Sequence, residues 1–173
     1  MELELKRGGR TARVETLGGE LVSYRDERGL EYIWGGDPAY WPGRNPLLFP
    51  IVGMLKEGKI RFDGREYAME RHGFARRREF TPAARGEDWV RLELRESAET
   101  LALYPYPFRL AVEQRLTDTG FSTAVTVANP GEGPLPFCLG AHTGFRCPLE
   151  AGERFEDYEL VFPERESCPT LLL

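Results

Sequence analysis

The feature that most constrains this chain is a period of two in its apolar residues, broken at short intervals by glycine and proline. Val90, Leu92 and Leu94 fall on one side of an extended segment, and Arg91, Glu93 and Arg95 on the other. Met1 to Lys6 alternates in the same way, as do Leu21 to Tyr24 and Leu110 to Glu113; Phe121, Thr123, Val125 and Val127 mark one face of another segment, closed by Asn129-Pro130-Gly131. Alternation places one face of a strand in a core and the other in water, whereas a helix would need a period near 3.6. Short strands also fit Glu31 to Trp34, Lys59 to Phe62 and Tyr158 to Phe162. The 19 glycines and 13 prolines supply the turns between them. Gly18-Gly19, Asp63-Gly64 and Asp118-Thr119-Gly120 all sit between strand candidates, and Asp63-Gly64 carries the strongest hairpin signal. Glu96 to Leu103 is the best helical segment, but it is short and halted by Tyr104-Pro105-Tyr106-Pro107, so it fits a crossover loop equally well. Many short strands with regular turns predict an all-β sandwich, and 173 residues without an internal repeat or linker predict one domain spanning 1–173.

Composition narrows the function. Hydrophobic residues at 41% and charged residues at 29% belong to a globular chain rather than a disordered one. A net charge of −5 argues against nucleic acid or an anionic membrane as partner. Cys138, Cys147 and Cys168 have spacings that fit neither a disulfide framework nor a zinc knuckle, and are expected to be free thiols in a reducing cytoplasm. There is no apolar run of membrane-spanning length and no secretory core near Met1, which also predicts a cytoplasmic location. Dinucleotide, P-loop, serine-hydrolase elbow and HExxH patterns are all missing.

Two stretches are too rich in glycine and proline for a central strand: Gly35 to Pro46, and Pro134 to Pro148. Long ordered loops of this kind often bind ligands. The only two histidines lie in similar settings, His72 in Arg71-His72-Gly73-Phe74-Ala75-Arg76 and His142 in Gly140-Ala141-His142-Thr143-Gly144-Phe145. Imidazole trades protons near neutral pH, and small neighbours let a ligand approach closely. A histidine in a loop also serves as an ordinary hydrogen-bonding group, so the residues alone leave both readings open. The run Arg76-Arg77-Arg78 suits an anion or a solvated strand edge. Among the aromatics, Tyr32 and Trp34 are expected in the core, while Trp41 within the Gly/Pro loop is free to face a ligand.

Five blocks taken together resemble the aldose 1-epimerase (mutarotase) family, in particular its LacX-like branch. They are Gly19-Glu20-Leu21-Val22-Ser23, Glu31-Tyr32-Ile33-Trp34, Leu48-Phe49-Pro50-Ile51-Val52-Gly53, His72-Gly73-Phe74-Ala75-Arg76, and Pro136-Phe137-Cys138-Leu139-Gly140-Ala141-His142 leading to Phe145. The resemblance runs from about residue 14 to the end. It implies a galactose mutarotase-like β-supersandwich and the interconversion of α and β anomers of a free or phosphorylated sugar, without metal or cofactor. It further implies that His142 is the general acid, that His72 helps hold the ring, and that Arg76 and Arg44 contact the sugar or its phosphate.

Two departures from the family pattern carry expectations of their own. Thr143 stands where the family usually has proline, and is expected to loosen the loop that aims His142. The family's general base is a late glutamate in a longer chain, and a sugar-contacting aspartate lies there too; no residue here matches either. The chain is therefore expected to lack the family's C-terminal part, to expose strand edges that favour a homo-oligomer, and to be either an isomerase or a carbohydrate-binding module without its base.

Overall fold

The computed structural model describes residues 1–165 and Ser167. Strands β1 (Glu2–Arg7), β2 (Arg10–Glu15) and β3 (Glu20–Arg25) form an antiparallel sheet in that order. The alternation read from the sequence sets its faces: Leu3, Leu5, Ala12 and Val14 are buried while Glu2, Glu4 and Arg13 face solvent. Then come the two-residue β4 (Leu47–Leu48) and the hairpin of β5 (Lys59–Phe62) with β6 (Arg65–Ala68). Asp63 and Gly64 both have positive φ at its turn, 48° and 79°, as a two-residue hairpin of primed type needs.

The larger sheet has the order β10-β9-β8-β7, from β7 (Thr81–Arg85), β8 (Trp89–Arg95), β9 (Arg109–Leu116) and β10 (Phe121–Ala128). Val90, Leu92 and Leu94 of β8 are buried on one face, and Leu110, Val112 and Leu116 of β9 join them. This face shares one core with the inner face of the β1–β3 sheet. Gln114 is buried between the two layers; its amide donates to the Gly19 carbonyl at 3.0 Å and its oxygen accepts from the Thr123 hydroxyl at 2.6 Å. A buried amide satisfied on both sides ties the sheets at one register. Aromatic side chains fill the end of the core nearest the loops, with Phe49 packed edge-on to Phe74 and Tyr104 and tilted against Phe108.

The segment expected to be either helix or loop is a helix, α1 (Ala98–Leu103), starting two residues later than predicted. Ser97 caps it: its hydroxyl accepts from the Thr100 amide at 3.3 Å while the Thr100 hydroxyl accepts from the Ser97 amide at 2.8 Å. It stops where Tyr104 turns its ring into the core ahead of Pro105.

Two strand expectations need correction. Glu31 to Trp34 makes only isolated bridges, Arg25 with Glu31 and Ile33 with Phe145, because its Glu31 carboxylate takes the backbone bonds a ladder would use, accepting from the Tyr24 and Ile33 amides. Tyr158 to Phe162 forms no strand; the Tyr158 ring is anchored instead by its hydroxyl, which accepts from the Leu149 amide. The Pro134 to Pro148 loop contains one short strand, β11 (Gly140–Ala141), paired with β4. No helix among the described residues is long and apolar enough to cross a membrane.

Candidate functional site

The site is organised by the rib Leu48 to Gly53, one of the blocks singled out in the sequence. On one side, Leu48 pairs with Gly140, and the Pro50 carbonyl accepts from the Cys138 amide at 2.9 Å. On the other, the Phe49 carbonyl accepts from the amides of Phe74 and Ala75 at 3.0 and 3.2 Å, and the Gly53 carbonyl accepts from the His72 amide at 2.8 Å. The two histidine loops therefore flank a single piece of backbone, and this brings together residues seventy positions apart. Gly73 is required by the contact: its φ is +70°, and a β-carbon there would lie 2.2 Å from the Phe49 carbonyl oxygen.

His72 has a positive φ of 67°, held by a double contact with Gly53. Its Nδ1 accepts from the Gly53 amide at 3.0 Å, so in the neutral ring the proton sits on Nε2, where it can be donated to a ligand. Burial pushes the imidazole below the ordinary histidine range, with the charges of Arg71 and Arg76 and the nearby His142 adding to the shift. His72 is thus suited to donate a hydrogen bond rather than to carry a charge.

His142 lies on the exposed lip. Its amide donates to the Pro46 carbonyl at 3.2 Å, and its ring stacks tilted on Trp41 with centroids 4.9 Å apart. Trp41 is placed by the Asp37 turn, where its amide donates to the Asp37 carbonyl, and by Trp34, whose indole N–H donates to the Trp41 carbonyl at 2.8 Å. Trp34 is a half-buried support of this loop, and Tyr32, also half-buried, packs on Tyr24 rather than in the core. Gly144 packs so closely that a β-carbon would come within 2.7 Å of the Trp41 ring.

Arg76 is half-buried and makes no ion pair among the described residues; its Nη2 donates to the Arg71 carbonyl at 2.9 Å, and its buried Nε has no partner. Arg77 and Arg78 pair with Glu70 and Glu99, which accounts for them as surface groups, in a short 3-10 turn and its cap rather than on a strand edge. Arg44 is in the Gly/Pro loop, but its guanidinium turns to the Gly35 carbonyl at 3.3 Å and to Glu15 at 3.9 Å. The structure therefore gathers His72, His142, Trp41 and Arg76, and leaves the Arg44 side chain bound to Gly35 and Glu15.

Two residues here, Glu20 and Asn45, are assigned no role by the sequence. The Glu20 carboxylate accepts from the amides of Arg44 and Asn45, at 2.9 and 2.5 Å. The Asn45 oxygen accepts from the Thr143 hydroxyl at 2.6 Å. Thr143 thus ties the His142 loop down instead of loosening it, a correction that follows from its hydroxyl finding a partner 98 positions away. Cys138 and Cys147 are free and exposed, and Cys168 lies outside the described residues. Among the described residues no three His, Cys, Asp or Glu side chains cluster as metal ligands would.

Residues 1–172 match the family model for aldose 1-epimerase. The chain belongs to the aldose 1-epimerase family. Two curated relatives, the plasmid and chromosomal LacX proteins of Lactococcus lactis subsp. lactis, are each 41% identical over 174 aligned residues, covering 97% of this chain and 58% of theirs. The chain therefore spans little more than half the length of the curated relatives it matches. Among solved structures, a galactose mutarotase related enzyme from Lactobacillus acidophilus superimposes with a TM-score of 0.87 at 28% identity, over 91% of this chain and 53% of that one. A galactose mutarotase-like protein from Lactobacillus casei gives 0.83 at 33% identity, over 87% and 52%. The fold is the mutarotase-like β-sandwich, and the aldose 1-epimerase match embraces both histidine blocks together with the rib between them.

Proposed function

We propose that this chain carries the sugar-binding face of a mutarotase-like isomerase that interconverts the α and β anomers of an aldose. The observation that supports it best is the convergence of His72, His142 and the unpaired Arg76 about the Leu48 to Gly53 rib. In this reading Trp41 offers an aromatic face to the C–H surface of the ring, and neutral His72 donates from Nε2 to a ring or hydroxyl oxygen. His142, in its protonated form, gives a proton to the ring oxygen as the bond from that oxygen to C1 breaks. A base takes the proton of the C1 hydroxyl, leaving an open-chain aldehyde. Rotation about C1–C2 and the reverse transfers close the other anomer, so the protons balance and no redox step is involved. Arg76 suits a hydroxyl-rich or phosphorylated sugar, through its free N–H donors.

The base is unassigned: the Glu20 carboxylate beside these loops accepts from the Arg44 and Asn45 amides, and a binding module without turnover is the second reading. One experiment separates the two: anomer exchange of D-galactose and D-glucose followed by NMR, beside a binding titration with the same sugars. Exchange above the buffer rate that falls at least about tenfold in His142→Ala supports the isomerase. Binding with exchange no faster than buffer supports the module. The absence of both removes the sugar reading altogether. A cytoplasmic setting and a single domain across residues 1–173 remain part of the proposal.

A further inference from the structure

We infer that Glu20 is the positioning residue of the candidate site, a carboxylate outside the sugar pocket that holds the Trp41 to Asn45 loop and, through it, the loop of His142. The inference rests on the mutarotase-like reading for its effect on sugars, but its geometric content is independent of it.

Glu20 is the first residue of β3, on a sheet whose register is fixed by the core face of Leu21 and Val14. Its Oε1 accepts from two successive backbone amides, Arg44 and Asn45. Hydrogen bonds to an ionised acceptor are about twice as strong as neutral ones, and two sharing one oxygen set the local direction of the chain as well as its distance. The same two residues then hold the second loop. The Arg44 carbonyl accepts from the Gly144 amide at 2.7 Å, and the Asn45 side chain accepts from the Thr143 hydroxyl at 2.6 Å. The next residue, Pro46, supplies the carbonyl for the His142 amide. The bonds that tie residues 142–144 to this loop fall on Arg44, Asn45 and Pro46, two of which are set by one carboxylate, while the Gly144 carbonyl also accepts from the Trp34 amide at 2.9 Å. A Gly/Pro-rich loop has few side chains to define its path, so a charged anchor from a rigid strand does what packing would otherwise do.

The test compares Glu20→Ala with Glu20→Gln. Glutamine keeps an oxygen able to accept both amides and loses only the charge. Backbone hydrogen exchange is read at Arg44, Asn45, His142 and Gly144, with Leu92 and Val112 in the large sheet as internal references. Glu20→Ala is expected to speed exchange at all four loop amides by about tenfold or more without moving the references, and Glu20→Gln to stay within about threefold of the parent. Unchanged exchange at His142 and Gly144 in Glu20→Ala overturns the inference, because the loops would then be aimed by something else. Equal effects of Ala and Gln also overturn it, since the acceptor oxygen that glutamine keeps would then not be what holds the two amides. Should Glu20→Ala not fold, Thr143→Val removes the link from its other end. Faster exchange at His142 and Gly144 in that variant supports the chain of contacts, and no change refutes it. Sugar affinity is measured on the same proteins, with a loss in Glu20→Ala rescued by Glu20→Gln expected. If the parent chain binds no sugar, the proposed function falls while the exchange data still decide the role of Glu20.

Discussion

At the level of single residues, the two histidines differ in what their surroundings permit. Burial and the neighbouring Arg71 and Arg76 charges lower the affinity of His72 for a proton, and its bond to the Gly53 amide requires Nδ1 unprotonated. Its folded-state pKa lies below the unfolded value, so the unfolded chain takes up the proton first on acidification. Stability is therefore undiminished above the ordinary histidine pKa and declines as pH falls from there toward the folded value. Thermal melts across that window are expected to show the decline, and His72→Asn, whose side chain tolerates positive φ, is expected to flatten it. Arg76 makes a different prediction. Its guanidinium makes no ion pair among the described residues and spends one N–H on the Arg71 carbonyl, which leaves other donors for a bound oxygen. Arg76→Ala should weaken binding of glucose 6-phosphate in calorimetric titration by about tenfold or more, with a smaller loss for glucose, while the melting temperature changes little. Equal affinity in both proteins would remove Arg76 from the site.

At the level of elements, the rib between the histidine loops is the critical joint. It binds its neighbours through backbone groups, so its geometry depends on how closely chains can approach rather than on side-chain chemistry. Gly73→Ala puts a methyl group into the Phe49 carbonyl and forces a side-chain-bearing residue to keep a left-handed conformation. A loss of about 3 kcal/mol or more in denaturant unfolding is expected. The short helix α1 shows the reverse balance. Six residues would not hold a helix in water, but Ser97 and Thr100 satisfy its first turn and Tyr104 seals its end in the core.

At the level of the molecule, the sheet edges are unequally protected. The outer edge β7 carries Pro82, an irregular register beside it and Arg85, and β1 carries Glu2, Glu4, Lys6 and Arg7. Such features discourage pairing with another chain. By contrast, the eight residues of β10, Phe121 to Ala128, include no charge and no proline, and among the described residues its second edge meets no strand. Near its Phe121 end lies Phe145, 69% exposed. A strand could add at this edge, and we propose that Ala124→Lys on its exposed face lowers any concentration-dependent rise in mass read by light scattering after size exclusion. A monomer at every concentration would count against this.

The sequence by itself determined the all-β class, the strands with an inward and an outward face, the hairpin at Asp63-Gly64 and the two histidine blocks, because alternation and turn chemistry are local and each can be read within a few residues. Where the pattern was equally local but a competing bond existed it misled, as at Glu31, whose carboxylate takes the place of a ladder partner. Only the tertiary structure decided that the histidines share one rib, that Arg44 turns away to Glu15 while Arg76 stays unpaired, and that Thr143 fastens its loop to Asn45. Those outcomes depend on contacts between residues far apart in the chain, made largely by backbone groups that every residue type possesses. Only the folded arrangement of the sheets decides which of those groups meet.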